Sequence, residues 1–266
     1  MRTWKEGKMI IGIKDDYEIK IMREGGRILG MILSELEKML QEGICGIEID
    51  QKADTLMKQY GVLPSFKGYR GFPNVICFNV NDQVVHGIPG KEPLKNGDIV
   101  TIDYGVIHRD FHTDSAIAKG IGVINPELEK FLNTAEKALR KGIEVARPGV
   151  RIHKISGVIQ DIVEKNGYSV VRDLTGHGIG KKMHEDPFVP NFRDINHGPV
   201  LQAGMTIAIE PIITMGNGRV KTLNDNWTII TADGAFATQV EHTILITQKG
   251  AEILTKRPDQ KNHLHQ

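Results

Sequence analysis

The sequence predicts an α+β fold made of two similar halves that face each other across one cleft. The first observation is an order of elements that occurs twice: long helix, glycine break, shorter helix, glycine stop, then strands. The second is that Gly46 and Gly149, which open the two shorter helices, lie 103 residues apart. The third is a buried-type carboxylate six residues after a glycine in each half, at Asp103 and Glu210. These spacings favour a duplicated unit, with chance similarity of helical patterns as the alternative.

The composition is that of a soluble globular protein. Of the 266 residues, 40% are hydrophobic and 25% are charged, and the net charge is +1. This balance gives no reason to expect DNA or a membrane surface as a partner. Cys45 and Cys77 do not form a disulfide framework, and no signal peptide or membrane-spanning run is apparent. We therefore expect a cytoplasmic protein.

The elements of the first half can be assigned in order. Asp15 or Asp16 is a candidate cap for the long helix, which has a broad apolar face. The shorter helix is predicted to end near Gly61. Short apolar runs separated by Gly, Pro and Asn predict loops and strands over 64–90, and residues 98–119 predict a hairpin.

The second half begins with a strong helix start. Residues 125–127, Asn-Pro-Glu, combine a cap, a proline at the first helical position and an acid in the first turn. This helix is predicted to end before Gly149, and the next to run from about His153 to near Gly167. From 169 to 254 the pattern again predicts loops and strands.

Two aspartates flank the centre of the predicted hairpin. With a turn centred between His108 and Arg109, Asp103 and Asp114 would lie directly opposite each other, with Cβ atoms about 5 Å apart. Like charges in that position destabilise a sheet, so a shared proton or a bound cation is expected to offset them. The alternative is a frayed hairpin with both acids in solvent, which the apolar neighbours argue against.

Two glutamates extend this set. Glu210 and Glu241 lie in apolar runs of high β propensity, where an unpaired charge is costly, and either alone could form a structural ion pair. Together with the aspartates and the glycine-flanked His177, they offer four carboxylates and one imidazole. Two divalent cations would neutralise such a set, which suits Mn, Fe, Co or Zn. Two neighbouring metal ions activate water for hydrolysis.

His177 lies in a glycine-rich motif, GHGIG at 176–180. The motif lacks the lysine-serine ending and the following helix of a phosphate-binding loop. We expect its glycines to remove side chains so that the imidazole can approach the crowded ion site closely. His184 is too far along the chain for the same turn, and is expected to lie outside the ligand set as a donor facing the substrate.

With these five candidate ligands in this order and spacing, the chain resembles the type I methionine aminopeptidases over nearly its whole length. The resemblance implies the pita-bread fold, with two halves related by a pseudo-twofold axis, antiparallel sheets lining the inner cleft and helices outside. It also implies a site with two divalent metal ions (Co, Mn, Fe or Zn). Asp114 and Glu241 would bridge the ions, Asp103 would complete one, and His177 with Glu210 would complete the other.

The resemblance assigns further roles by position. His86, in VVHGIPG, would contact the scissile amide nitrogen, and His184 would hydrogen-bond the scissile carbonyl and stabilise the oxyanion. Glu210 would also act as the general base. Five residues would bind the methionine side chain, each with core packing as the alternative: Tyr69, Phe72, Cys77, Met183 and Trp227. Phe66, Leu174 and Met183 depart from the residues common in the family at these positions.

The implied organisation is an N-terminal arm at 1–12, one catalytic domain at 13–254 and a polar tail at 255–266, with halves at about 13–120 and 121–254. The implied reaction is hydrolytic removal of the initiator methionine from peptides and nascent chains whose second residue is small. The chain resembles the short form of the family, and a monomer is expected, with the ribosome as a candidate partner.

Two alternatives remain open. X-Pro aminopeptidases and prolidases share the fold and the ligands, but they usually have an extra N-terminal domain, which this chain is not expected to accommodate. A non-catalytic pita-bread protein that binds RNA or protein would be expected to have lost at least one metal ligand. All five are present here.

Overall fold

The computed structural model describes residues 10–194, 197–258 and 260. Its four α-helices are α1 Asp16–Met39, α2 Gly46–Tyr60, α3 Pro126–Val145 and α4 Ile152–Lys165. The strands are β1 Leu63–Pro64, β2 Ile76–Val80, β3 Gln83–Val85, β4 Ile99–His108, β5 Phe111–Gly120, β6 Ser169–Val170, β7 Thr175–Gly178, β8 Glu185–Pro190, β9 Thr206–Ile209, β10 Ile212–Thr214, β11 Val220–Thr222, β12 Ile229–Thr231, β13 Ala237–Gln239, β14 His242–Thr247 and β15 Gly250–Ile253. A helix pair followed by strands therefore occurs twice, in the order that the sequence predicts.

The helix ends follow local capping signals. The Asp15 side chain accepts the N–H of Glu18 at 2.8 Å, and the Glu18 carboxylate accepts the N–H of Asp15 at 3.2 Å, which forms a capping box. Gly61 ends α2 in the left-handed conformation, with φ 66°. Asn125 caps α3 by accepting the N–H of Leu128 at 2.8 Å. The predicted positions of these three ends are confirmed.

The predicted hairpin is formed by β4 and β5, but its turn is centred one residue later than expected. Arg109 and Asp110 both have positive φ, 46° and 67°, which is the requirement of a two-residue type I′ turn. In the resulting register Asp103 lies opposite Ala116, and Asp114 lies two positions nearer the turn. The prediction that the aspartates lie directly opposite is therefore wrong. They are diagonal neighbours on one face of the sheet.

The two larger sheets are antiparallel and adjoin each other. One has the order β1-β4-β2, with β5 also paired to β4, and the other has the order β15-β14-β9-β7-β8. They are joined where Ala116 of β5 and Glu241, just before β14, exchange main-chain hydrogen bonds of 3.0 and 3.4 Å. Two smaller sheets have the orders β13-β10-β6 and β11-β12-β3.

The core follows the same division into halves. One apolar cluster joins α1 and α2 to β2 and β4, and within it Leu29, Leu33 and Ile102 are fully buried. A second cluster joins α3 and α4 to β9 and β14, around the fully buried Phe131 and Ile244. Each helix pair therefore covers one face of its own sheet, and burial of these faces provides most of the driving force for folding.

Near its C-terminal end, the described chain packs against this core. Thr255, which we expected to open a polar tail, is fully buried, and its Oγ1 lies 2.9 Å from Nδ1 of His242. Nearby, Arg257 Nε lies 3.3 Å from a carboxylate oxygen of Glu37. Residues 1–9 of the predicted arm, and 259 and 261–266 of the predicted tail, lie outside the described residues. Within the described part, none of the helices has the length and apolar character that a membrane span requires.

Candidate metal centre

The acidic side chains line up across the junction of the two large sheets. Asp103 on β4 is paired with Ala116 on β5, and Ala116 is bonded in turn to Glu241. Strand β9 pairs with β14, and β10 pairs with β13, in the same continuous register. Glu210 and Glu241, which lie between these pairs of strands, are therefore opposite each other. Residues directly opposite each other have side chains on the same face. Asp103, Glu241 and Glu210 therefore project to one side, with Asp114 diagonal to Asp103.

Strand β7 brings His177 to the same place. Ligand atoms of Asp114, His177 and Glu241 all lie within 4.8 Å of one another. The Nε2 of His177 lies 3.7 Å from Oε1 of Glu210. Its Nδ1 lies 2.9 Å from the carbonyl oxygen of Gly178, which can only accept, so Nδ1 has the proton. The unprotonated Nε2 therefore faces the carboxylates, as a metal ligand requires.

The five side chains are buried, and their titration reflects it. Burial raises the pKa of Asp114 to about 7. Burial and the repulsion of neighbouring acids raise the pKa values of Asp103, Glu210 and Glu241 well above the ordinary range. Burial also lowers the pKa of His177 to about 4, which keeps the imidazole neutral. A cluster of acids with raised pKa values is stabilised when a cation replaces their protons.

Two buried oxygens in the cluster point to such a cation. Asp103 Oδ1 and Glu241 Oε1 have no hydrogen-bond partner among the residues that the structure describes. An unpaired buried carboxylate oxygen is costly, and a divalent ion supplies the missing partner. Carboxylate oxygens with one imidazole nitrogen suit Mn, Fe, Co or Zn. The residues present therefore fit a divalent metal centre.

Sequence reasoning missed two polar residues that hydrogen-bond these candidate ligands. The Nε2 of Gln239 donates to Oε2 of Glu210 at 3.2 Å and to Oε2 of Glu241 at 3.4 Å. The Thr243 hydroxyl accepts the N–H of Asp114 at 2.9 Å and donates to its carbonyl oxygen at 2.8 Å. Both residues lie two positions from Glu241, and alternation along a strand was the signal that could have found them.

The glycines of GHGIG have a different steric role from the one expected. A Cβ at Gly176 or Gly178 would overlap a main-chain carbonyl oxygen of β9 or β8, respectively. A Cβ at Gly180 would lie 2.6 Å from Cε of Lys14. The glycines therefore let β7 pack closely against neighbouring main chain and one lysine. Our expectation that they mainly give the His177 imidazole access to the ion site is corrected.

The two other predicted histidines lie in different surroundings. The ring of His184 lies 4.3 Å from that of His177, centroid to centroid, and its Nδ1 lies 2.9 Å from Oη of Tyr69. His86 follows β3 with a positive φ of 58°, and its ring centroid lies 6.4 Å from that of Trp227. His184 is thus adjacent to His177 of the candidate centre, whereas His86 borders an apolar cluster.

That apolar cluster contains all five residues predicted to bind methionine. Its members are Phe66, Tyr69, Phe72, Cys77, Ile88, Met183 and Trp227. Cys77 is paired with Asp103 across β2 and β4, so the cluster adjoins the carboxylates. Ile88 was missed because nothing in its sequence context separates it from an ordinary core residue. Leu174 packs in a different cluster, next to β3 and β10.

Comparison with known proteins gives one consistent picture. Residues 20–248 match the sequence model of metallopeptidase family M24. The methionine aminopeptidase of Clostridium perfringens is 50% identical over 247 residues, which cover 93% of this chain and 99% of that protein. The crystal structure of methionine aminopeptidase from Thermotoga maritima superposes with a TM-score of 0.91 at 38% identity. The match covers 93% of this chain and all of that one.

A prolidase shows how far the likeness of fold extends. The prolidase of Pyrococcus furiosus superposes with a TM-score of 0.75 at 24% identity, over 92% of this chain but 65% of its own. That level of identity shows the fold alone. The predicted α+β class and pita-bread fold are confirmed by these neighbours. The much greater similarity to methionine aminopeptidases disfavours the X-Pro alternative.

Proposed function

Because this chain belongs to metallopeptidase family M24 and is a metal-dependent aminopeptidase, we propose that it removes the N-terminal methionine from peptides and nascent proteins. We further propose that the second residue of the substrate must be small. The observation on which the proposal depends is the position of the buried cluster formed by Asp114, His177 and Glu241. It lies beside an apolar, sulfur-containing cluster that suits a thioether side chain.

We propose that the centre binds two divalent ions. Asp114 and Glu241 would bridge them, Asp103 would complete one, and His177 with Glu210 would complete the other. The tight grouping of three of these residues and the unpartnered oxygens of Asp103 and Glu241 support this assignment. When bound, the ions would lower the pKa of a water molecule and polarise the scissile carbonyl.

Glu210 is the proposed general base. It would accept a proton from the attacking water and deliver it to the leaving amine. In the metal-free protein, burial and the charge of Asp114 raise the pKa of Glu210. The amide of Gln239 donates to its Oε2, and its Oε1 lies 3.7 Å from Nε2 of His177.

The two histidines are proposed to position and stabilise the reacting amide. The hydrogen bond between Tyr69 Oη and Nδ1 of His184 orients that ring, whose Nε2 would donate to the developing oxyanion. His86 would contact the amide nitrogen. Its neighbour Gly87 is held at both main-chain atoms, since its N–H donates to Oδ1 of Asn79 at 2.8 Å and its carbonyl accepts from β2 at 2.8 Å.

The setting of the reaction is also part of the proposal. We propose a cytoplasmic monomer that acts on nascent chains, with the ribosome as a candidate partner, on the basis of its bacterial methionine aminopeptidase relatives. Sedimentation velocity of the protein, alone and with ribosomes, would test both statements. A dimer, or no cosedimentation at low salt, would count against the respective one.

The peptides Met-Ala-Ser, Met-Lys-Ser and Ala-Pro-Ala test the reaction, with Co or Mn added and then chelated. We expect metal-dependent release of methionine from the first peptide only. Glu210→Ala should be strongly impaired, whereas Glu252→Ala, which removes a surface carboxylate paired with Arg23, should be near wild type. Cleavage of the proline peptide would instead assign an X-Pro enzyme, and no turnover with any metal would favour a binding protein.

A further inference from the structure

The segment before α1 packs against the turn that contains His184. Ile11 forms a parallel bridge with Asp186, at the start of β8. The N–H of Ile10 donates to Oδ2 of Asp186 at 3.1 Å. Residues 10–14 are therefore attached to the part of the chain that follows His184 directly, although they belong to the other end of the sequence.

Lys14 makes the strongest contact of this segment. Its side chain is 6% exposed, and its Nζ lies 2.8 Å from Oε2 of Glu185, whose side chain is 17% exposed. Lysine is almost never buried unless it is paired. Removing one partner of a buried pair leaves an uncompensated charge, which is strongly destabilising locally. The Lys14 ammonium therefore fixes the position of the Glu185 carboxylate.

Glu185 joins the two ends of the turn that contains His184. Its second oxygen, Oε1, accepts the N–H of Lys182 at 3.0 Å, so one carboxylate joins the first and last residues of the turn 182–185. His184 lies inside this turn. Its Nδ1 lies 2.9 Å from Oη of Tyr69, and its ring lies 4.3 Å from that of His177, centroid to centroid. A shift of the turn by about 1 Å would lengthen the hydrogen bond beyond its normal range.

The third glycine of GHGIG provides the space for this arrangement. A Cβ on Gly180 would lie 2.6 Å from Cε and 2.7 Å from Nζ of Lys14, and 2.8 Å from Oε1 of Glu185. Real Cβ atoms do not approach so closely, so any other residue at 180 would displace the ion pair. The motif that presents His177 thus also accommodates the lysine that acts on His184.

We propose that Lys14 is a positioning residue for the reaction. Its ion pair with Glu185 fixes the turn 182–185 and thereby holds the His184 imidazole beside the metal ligands. The inference rests on the proposed function, because there His184 contacts the scissile carbonyl. It goes further by giving a residue of the N-terminal segment a role in turnover, through the position of His184.

The same loop offers a matched control. Lys181 pairs with Oε1 of Glu18 at 3.2 Å, but its side chain is 68% exposed. Exposed ion pairs contribute little, because solvent screens them. Lys181→Met therefore makes the same chemical change, one residue from the turn, without disturbing the buried pair.

The experiment compares Lys14→Met, Lys181→Met and the wild type, each loaded with Mn. We expect Lys14→Met to lower kcat for Met-Ala-Ser roughly 10- to 100-fold, the effect of misplacing a reacting group by about 1 Å. KM should change little. The Mn affinity, which calorimetry measures, should also change little. In carbon-proton spectra of the metal-free protein, the His184 signal, identified by its loss in His184→Gln, should shift or broaden. Lys181→Met should match the wild type throughout.

The outcomes separate the inference from the proposed function. A Lys14→Met protein with wild-type kcat and an unchanged His184 signal overturns the inference while the wild type still releases methionine. A wild-type protein that releases no methionine overturns the proposed function. The His184 signal then tests only whether Lys14 fixes the position of the turn 182–185. If Lys14→Met does not fold, Lys14→Arg keeps the charge but not the fit. It should show a smaller loss of kcat with the same displaced signal, and wild-type behaviour in that variant would also overturn the inference.

Discussion

Glu241 and Ala116 exchange main-chain hydrogen bonds, with 3.0 Å from the N–H of Glu241 to the carbonyl oxygen of Ala116 and 3.4 Å in return. This contact joins the sheet of the first half to the sheet of the second. It also places the methyl group of Ala116 between the side chains of Asp103 and Glu241. The candidate metal centre therefore lies at the junction itself, with two aspartates from one half and an imidazole and two glutamates from the other.

Replacing Ala116 with valine should weaken metal binding. Ala116 is 2% exposed, so two added methyl groups must enter between the side chains of Asp103 and Glu241. Overpacking a buried site costs about 1–3 kcal/mol, and about 1.4 kcal/mol corresponds to a tenfold change in affinity. We expect Mn affinity, measured by calorimetry, to fall roughly tenfold or more. Ala118→Val is the control, since Ala118 lies on the same face but opposite Thr101. An equal loss in both variants would contradict the prediction.

Gln239→Leu should also weaken metal binding, for a different reason. The change removes the N–H group that donates to Glu210 and Glu241, while the volume stays similar. Loss of a group that orients metal ligands typically costs about 10- to 100-fold in metal affinity or activity. Calorimetric titration with Mn measures it. Gln160→Leu is the control, because Gln160 is also buried but, among the described residues, hydrogen-bonds Glu164 and Arg193 and none of the acids of the centre. Unchanged Mn affinity in Gln239→Leu would show that the amide does not hold the ligands.

The helices of this protein could be predicted because their signals are local. The Asp15 cap with Glu18 three residues later, the Asn125 cap and the left-handed Gly61 each depend on neighbours within one turn. The five metal-type donors could be predicted for another reason. An acid within an apolar β-prone run is rare without a partner, and here several such acids occur in one chain.

The rest depends on contacts that a single sequence does not reveal. The hairpin turn is formed by Arg109 and Asp110, neither of which is the glycine or asparagine that normally marks a type I′ turn, so the register was misplaced. Lys14 reads as an ordinary surface lysine, because its partner Glu185 lies 171 residues away. The role of Gln239 likewise cannot be seen in the sequence, because it depends on Glu210 and Glu241 coming together across two strands.

The metal-free protein should lose stability as the pH rises from 7 to 9. A carboxyl with a raised pKa in the folded state stabilises the fold below its unfolded-state pKa, and this stabilisation is lost as the pH rises through the folded-state value. Asp114 loses its part between 3.8 and about 7. Burial and neighbouring acids raise the pKa values of Asp103, Glu210 and Glu241 well above the ordinary range, and we expect these groups to extend the loss to higher pH. Thermal unfolding in chelator at pH 7, 8 and 9 measures the slope.

The titration of the buried His177 does not change the stability between pH 7 and 9. The pKa of His177 is lowered from 6.5 to about 4 by burial, so its effect on stability is confined to acid pH, where the unfolded state gains the proton first. Glu241→Gln removes one of the repelling charges and should flatten the slope between pH 7 and 9. Saturating Mn should flatten it in the wild type. A wild-type protein whose melting temperature is the same at pH 7 and pH 9 in chelator would refute the prediction.

Gly178→Ala should destabilise the protein and disturb the metal centre together. A Cβ at this position would overlap the carbonyl oxygen of Asp186 and lie 2.6 Å from its carbonyl carbon, so β7 must move away from β8. Overpacking of this kind costs about 1–3 kcal/mol, and 1 kcal/mol lowers the melting temperature by roughly 2–4 °C in a protein of this size. Because His177 is the neighbouring residue on β7, the same movement should reduce Mn affinity.

The control for this change is Gly90→Ala. A Cβ on Gly90 would have nothing within 4 Å, and its φ lies outside the left-handed region, so both melting temperature and Mn affinity should stay near wild type. If the two variants melted at the same temperature, the close contact between β7 and β8 would not constrain the motif. If Gly178→Ala lost stability but bound Mn normally, the glycine would serve packing alone, and the position of His177 would depend on β9 and its other neighbours.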